Sequence, residues 1–388
     1  MRFREIVREA AQVGREFQHL EDLLIVDGAS GGLEALDELK DSLGNPSSLG
    51  FKWDGGAAVY WGRDSRGRFV FVPKNQWSKV QALDKEGLSH QIRSTGKRKT
   101  GQSPEEFASI RDGMAAKYEE LWDLFEEATP PKFRGFLTGD LMFSEPQQIN
   151  TQTGEYEFTP NKVTYHVRSD GLMGKMSTAQ AFVVVHGLIK KFGADATGNL
   201  TKAPDNVVNQ FNQTSRLIVL NSQTPQIKLK SNKEIDKAIS FITTNKKAID
   251  SIANFTAPKF SSLKSILYTF AIARAKHNSN LDFAQWLETS KVSDNQKAVL
   301  AELVRTSNWQ VFWAAFQQIV HAKHDTLNQL HSTGGDDMYT RLGIKATIAG
   351  QPGGEGFVKT FKSGRMGKII NPVFRSAPPN PKFTADNS

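Results

Sequence analysis

From residue 231 to residue 335 the apolar residues recur at helical spacing, and strand-like runs stand on both sides of that block. "NKEIDKAISFITTNKKAIDSI", "FSSLKSILYTFAIARAK", "LDFAQWLETS", "DNQKAVLAELVRT" and "WQVFWAAFQQIVHAKHDTLNQL" each carry an amphipathic helical period. A chain that runs from strands to helices and back to strands is neither a helical bundle nor a repeating βαβ unit. The expected class is α+β, with antiparallel sheets and helices interrupted by an all-helical insertion. The expected division is 1–230, 231–335 and 336–388.

Within the first segment, "FREIVREAAQVGREF" and "GGLEALDELKDSLG" read as helices. "FKWDGGAAVYWGR" and "GRFVFVPK" read as strands joined by the hairpin signal "DSRG". Ser103 and Pro104 open a helix that ends before "TPPK", and Glu105 and Glu106 lie in its first turn. "FRGFLTGDLMF", "GEYEFTPNKVTYHVRS" and "AQAFVVVHGLI" read as three further strands. After the helical block "HSTGGDD" reads as a linker, "EGFVKTF" and "GKIINPVF" as short strands, and the last residues as a disordered tail.

No apolar run approaches a membrane span, and the charged N-terminus lacks the apolar stretch of a signal peptide, so a cytoplasmic protein with no membrane partner is expected. The absence of cysteine excludes disulfides, thiolate metal sites and cysteine nucleophiles. Lysine and arginine total 49 against 41 acidic residues, a net charge of +8, which suits a nucleic-acid or nucleotide-phosphate partner.

The chemistry concentrates in four glycine-flanked pieces: Lys52-Trp53-Asp54-Gly55, Gly139-Asp140-Leu141, Glu355-Gly356-Phe357-Val358, and Lys368 in "GRMGKIINP". If residues 51–63 form one strand, Lys52 and Asp54 share a face. A lysine attacks phosphorus only as the free amine, so a nucleophilic lysine belongs at a buried strand end near other cations. Gly55 and Gly56 let backbone approach phosphate with no Cβ in the way.

In this order the four pieces resemble the motifs of the covalent nucleotidyltransferase superfamily, which includes ATP-dependent DNA ligases, RNA ligases and capping enzymes. "HLEDLL", "KWDGGAAVYWG", "TGDLMF", "FTPNKVTYHV" and "AFVVVHG" look more closely like uncharacterised tailed-phage proteins of the RNA/DNA ligase type. That likeness covers residues 17–193 and resumes over 350–376, leaving the helical block outside. The resemblance implies an ATP-grasp-like adenylation domain in which Lys52 takes AMP from ATP as a phosphoramide, while Asp54 contacts the nucleotide or orders the lysine. Asp140 stands where the family usually has glutamate, a sugar or metal contact. Glu355 would help hold Mg²⁺ or Mn²⁺, and Lys368 would grip the α-phosphate. Met366 occupies the place of a second late lysine, which Arg365, Lys362 or Lys359 would replace. Lys74 matches a basic nucleotide contact, and Tyr165, ahead of Phe182 and His186, is the expected adenine stacker.

The function so implied is ATP-dependent ligation of polynucleotide ends, with RNA favoured slightly over DNA because only 20 residues follow Lys368 and no OB domain is seen there. The basic loop Arg93, Lys97, Arg98 and Lys99 is the candidate grip on the polynucleotide backbone. The alternatives are nucleotidyl transfer to another acceptor, and a degenerate fold kept as a phage nucleotide- or nucleic-acid-binding protein. His321, His324, Asp325 and His331 read as a solvated helix end, and "GASGG" as a turn between helices. Trp309, Phe312, Trp313, Phe316 and Ile319 read as core, with a base-stacking surface as the alternative.

Overall fold

A computed structural model of the chain describes residues 18–74, 76, 84–98, 100–189, 200–222, 231–256, 263–276, 281–370 and 374. The expected N-terminal helix over residues 3–17, Lys99 and the expected tail lie outside the described residues. The class is α+β, with one antiparallel sheet and two mixed ones. The chain divides into two compact units, Met1–Lys52, Thr224–Asp337 and Glu355–Ala377 forming one, Trp53–Gln223, Met338–Gly354 and Pro378–Ser388 the other.

The first unit pairs a four-stranded sheet with the helical block. Leu49–Lys52 runs antiparallel to Gly356–Thr360, which runs antiparallel to Met366–Ile370, and Gln18–His19 adds to the last in parallel. Strand alternation sends Leu49, Phe357 and Ile369 to one face, where they join Leu24, Leu36, Ile242, Phe312 and Ile319 in one core. The helices Lys233–Thr244, Lys246–Ala253, Leu263–Lys276, Phe283–Thr289, Asp294–Val304 and Ser307–Leu342 therefore share their core with residues from both flanking segments. The helix Asp22–Gly44 breaks at Gly28, whose φ is +63°, and Asp250 accepts from the Ala29 N–H at 2.8 Å to cap the part that follows. "HSTGGDD" continues the helix Ser307–Leu342 instead of forming a linker, although each of its two glycines costs about 1 kcal/mol relative to alanine.

Among the described residues of this unit two lysines are buried. Lys323 donates to both carboxylate oxygens of Glu21 at 2.6 Å, and Lys359 meets Glu38 at 2.8 Å and Asp41 at 2.7 Å.

In the second unit the strands run in the order Leu200–Thr201, Ala181–Ile189, Gly135–Phe143, Ala58–Arg63 and Phe69–Pro73, and Leu217–Asn221 joins Ala181–Ile189 in parallel. The expected hairpin forms: Asp64 accepts from the N–H groups of Arg66 and Arg68 across its turn. The Pro104–Ala128 helix starts with a complete capping box between Ser103 and Glu106. Its Leu121, Trp122 and Phe125 pack with Trp61, Phe71 and Leu137 of the sheet. A second, antiparallel sheet is ordered Gln351–Pro352, Ile344–Ile348, Val163–Arg168, Glu155–Phe158 and Ile149–Asn150. The run expected as one strand over 154–169 is thus a hairpin. Among the described residues no helix is long and apolar enough to cross a membrane.

The largest departure concerns residues 51–63. They form two strands in different sheets, Leu49–Lys52 and Ala58–Arg63, with an irregular stretch between. Because the first strand ends at Lys52, strand alternation does not put Lys52 and Asp54 on one face.

Candidate functional site

The motif residues fall into two groups, one in each unit. In the first unit the register sets Lys52 opposite Gly356, and Gly50 opposite Val358, which is opposite Lys368. Paired residues share a face, so Lys52 and Lys368 both stand on the face turned away from the Leu49–Phe357–Ile369 core. Gly356 fits this position because a Cβ there would lie 2.0 Å from the Ile369 carbonyl oxygen, and its φ is +140°. Glu355, immediately before the strand, is buried, and the Lys52 amine lies 2.6 Å from each of its carboxylate oxygens. The Lys52 side chain keeps 25% of its surface exposed against 7% for Glu355.

The three replacements considered for the second late lysine are all held by the Asp22–Gly44 helix. Lys359 is taken by Glu38 and Asp41, and its hydrogen bond holds the Asp41 carboxyl below the usual carboxylate range. Lys362 reaches Asp41 at 3.1 Å, and that pairing raises its ammonium pKa. Arg365 pairs with Asp27 at 2.5 Å and Glu34 at 3.1 Å, and the Asp27 bond pushes its guanidinium pKa up.

In the second unit Asp54 is 3% exposed and clamps the turn that precedes Val163–Arg168. Its carboxylate accepts from Asn161 Nδ2 at 2.8 Å and from the N–H groups of Lys162 at 2.5 Å and Val163 at 2.7 Å. Its own N–H donates to the Tyr165 hydroxyl at 2.7 Å. Tyr165 is itself buried, stacked on Trp53 and Phe158, and Phe182 is buried beside Trp53. Asp54 thus organises the fold around the motif, and neither Tyr165 nor Phe182 offers a surface ring.

Asp140 and His186 are different. Gly135–Phe143 and Ala181–Ile189 are buried at every residue but one each, and those two residues meet, His186 Nε2 to Asp140 Oδ2 at 2.8 Å. His186 is the extra residue of a β-bulge, since Val185 lies opposite Gly139 and Gly187 opposite Thr138. The bulge re-aims the imidazole toward Asp140. Gly55 packs against the same carboxylate, because a Cβ at residue 55 would sit 2.3 Å from the Asp140 Cβ. The pairing of Asp140 with His186 was not anticipated, yet a lone imidazole inside "AFVVVHGLI" is a legible signal.

Lys74 is exposed just past Phe69–Pro73. Arg93 is tied to Asp112 at 3.1 Å and Ser89 at 2.7 Å, whereas Lys97 and Arg98 are exposed. Among the described residues no group of three or more histidine, aspartate or glutamate side chains could hold a metal by itself. Glu355 still suits the mode in which Mg²⁺ keeps its waters and takes one carboxylate plus phosphate oxygens.

No curated protein and no solved structure matches the chain. One family does, described as a family of unknown function (DUF6267), over residues 109–377. The matched span holds Asp140, Tyr165, His186, Glu355 and Lys368, and begins after Lys52 and Asp54. Since it takes in well over half of the sequence, the chain belongs to the DUF6267 family.

Proposed function

We propose that the protein is a nucleotidyltransferase of the polynucleotide-ligase kind, with Lys52 as the residue that carries AMP. The observation that carries this reading is the pairing of Lys52 with Glu355 across adjacent strands, with Lys368 on the same sheet face. The Lys52 amine must shed a proton before it attacks, and Glu355 at 2.6 Å is an acceptor within reach. The nitrogen then bonds to the α-phosphorus of ATP, the bond from that phosphorus to the bridging oxygen breaks, and pyrophosphate leaves. Lys368 supports the charge that builds on the phosphoryl oxygens. Magnesium, when bound, supplies further neutralisation of the phosphates. In the ligase reading AMP next passes to a 5′-phosphate end, and a 3′-hydroxyl displaces it to seal the strand.

Within the second unit, Asp140 is paired with His186, and the motif resemblance assigns this carboxylate a sugar or metal contact. Purified protein incubated with Mg²⁺ and α-labelled ATP or GTP, then resolved by denaturing gel and mass spectrometry, tests the reading. Label from ATP on Lys52, absent in Lys52→Ala, is the expected result. No label on folded protein freed of bound AMP would overturn it.

A second reading, nucleotide binding without transfer, is favoured by one observation: Lys359, Lys362 and Arg365 are all paired with carboxylates, so none stands ready as the second phosphate-gripping cation. Saturable ATP binding with no covalent label would select it.

A further inference from the structure

At one end of the mixed sheet in the second unit three strands stop together, since Arg63 lies opposite both Phe69 and Gly135. The turn over residues 64–68 and the loop that precedes Gly135 are therefore neighbours. Between them they carry Arg63, Arg66, Arg68, Lys132 and Arg134. The loop is built to hold a guanidinium still. The Phe133 N–H donates to the Pro130 carbonyl at 3.0 Å, and the Phe133 ring packs edge-on against Phe211 at 5.0 Å. Arg134 Nη1 donates to the Pro131 and Phe133 carbonyls at 2.8 and 2.7 Å. Arg134 then lies against the turn, where a Cβ at Gly67 would fall 2.8 Å from its Nη2.

Two of these five cations are already answered. Arg68 pairs with Asp64 at 3.2 Å, and Arg63, mostly buried over the Phe69 ring, meets Glu126 at 3.7 Å. Arg66, Lys132 and Arg134 are exposed, and among the described residues no carboxylate pairs with any of them. Cations gathered without counter-ions favour a polyanion that neutralises several at once. The walls limit which one. The exposed large apolar side chains Ile110, Ile149 and Ile272 belong to neither the turn nor the loop, so nothing here enters a bilayer. Phe133 is half-buried and Phe211 buried, so no open ring offers itself to the bases of a single strand. A regular row of phosphates remains. We propose that this surface binds the phosphate backbone of a nucleic-acid duplex, with Arg66, Lys132 and Arg134 each meeting a phosphate. The proposal rests on the polynucleotide part of the reading above and not on its lysyl-AMP chemistry. From Arg63 opposite Gly135 to Ala58 opposite Asp140 the ladder runs five residue steps, about 17 Å at about 3.4 Å each. The surface thus holds the duplex about five base steps from Asp140.

Fluorescence anisotropy of labelled DNA and RNA duplexes, in EDTA and without ATP, over a series of salt concentrations, tests it on the full chain. The triple variant Arg66→Gln, Lys132→Gln, Arg134→Gln binds on the order of tenfold more weakly at low salt, and its plot of log K against log salt is flatter by about three. The double variant Arg66→Gln, Lys132→Gln, whose side chains hold nothing in the fold, is flatter by about two, which separates lost contacts from misfolding. A control, Lys246→Gln, Lys247→Gln, Lys291→Gln, removes the same charge from exposed positions of the helical block and keeps the wild-type slope. Equal losses in the control and the triple variant, an unchanged slope in the triple variant, or no duplex binding by the wild type overturns the proposal. Capture of phosphatidylserine vesicles that is lost in the triple variant while duplex binding persists overturns it in favour of a lipid surface. AMP labelling is read separately on the same proteins: labelling without duplex binding sinks this proposal alone, and duplex binding without labelling sinks only the adenylation reading.

Discussion

Two lysine–glutamate pairs of the first unit are nearly identical in geometry and opposite in setting. Lys323 with Glu21 and Lys52 with Glu355 each place an amine 2.6 Å from two carboxylate oxygens, across sequence separations of 302 and 303 residues. The Lys323 pair is sealed, at 2% and 3% side-chain exposure, while Lys52 retains 25%. A sealed pair can only hold segments together, and losing one member strands a charge in a dry core. An amine at the rim of a sheet, held by one carboxylate and open to solvent, can exchange that partner for a phosphate. The difference lies in access, since the bonding is the same.

The largest effect should come from the open pair. Lys52→Arg keeps a cation against Glu355 but removes the transferable amine, so covalent labelling should vanish while the melting temperature stays near that of the wild type. Unchanged labelling would break the comparison at its centre. At the sealed pair, Lys323→Met should cost about 3–5 kcal/mol, read from the denaturant midpoint, and adding Glu21→Leu should return most of it. A third variant sharpens the contrast between Lys52 and its neighbour two residues on. Asp54→Asn places a second donor against the backbone N–H groups of Lys162 and Val163, and should lower stability by about 1–3 kcal/mol. A nucleotide-contacting Asp54 would instead raise the KM for ATP with stability unchanged.

The smallest effect concerns Asp41, whose carboxyl is held below the ordinary value of 3.8 mainly by the Lys359 hydrogen bond. A depressed carboxyl contributes stability that is in place above 3.8 and lost as pH falls through its lowered folded value. The stability gap between wild type and Asp41→Asn should therefore be constant at neutral pH and close under acid, as read by urea titrations at a series of pH values.

What the sequence made legible was local. The helix start at Ser103 and Pro104, the turn at Asp64 and the helical periods after residue 231 are each decided within a few residues, and each forms where expected. Pairings across long separations were not legible. Nothing near Asp54 announces that its oxygens are taken by residues 161–163, and Tyr165 reads as an adenine stacker until Trp53 and Phe158 are found stacked on it. The same holds for Lys359, Lys362 and Arg365, whose carboxylate partners lie more than 300 residues earlier in the chain. In the sequence, Gly55 and Gly56 read as openings for phosphate. Gly55 instead makes room for the Asp140 side chain, and Gly356 lets two strands approach.

The sheet that carries Lys52 is built from the beginning and the end of the described chain, and this has a consequence in time. During synthesis Leu49–Lys52 emerges early, yet its partner strand, Gly356–Thr360, is made more than 300 residues later. Until then Lys52 has no counter-ion, and Leu49 and Phe51 have no Phe357 against which to pack. Long-range pairing of this kind is slow and must wait for the whole chain. The proposed AMP-carrying lysine is thus assembled last, so a polypeptide cut short before residue 355 carries the residue without its site.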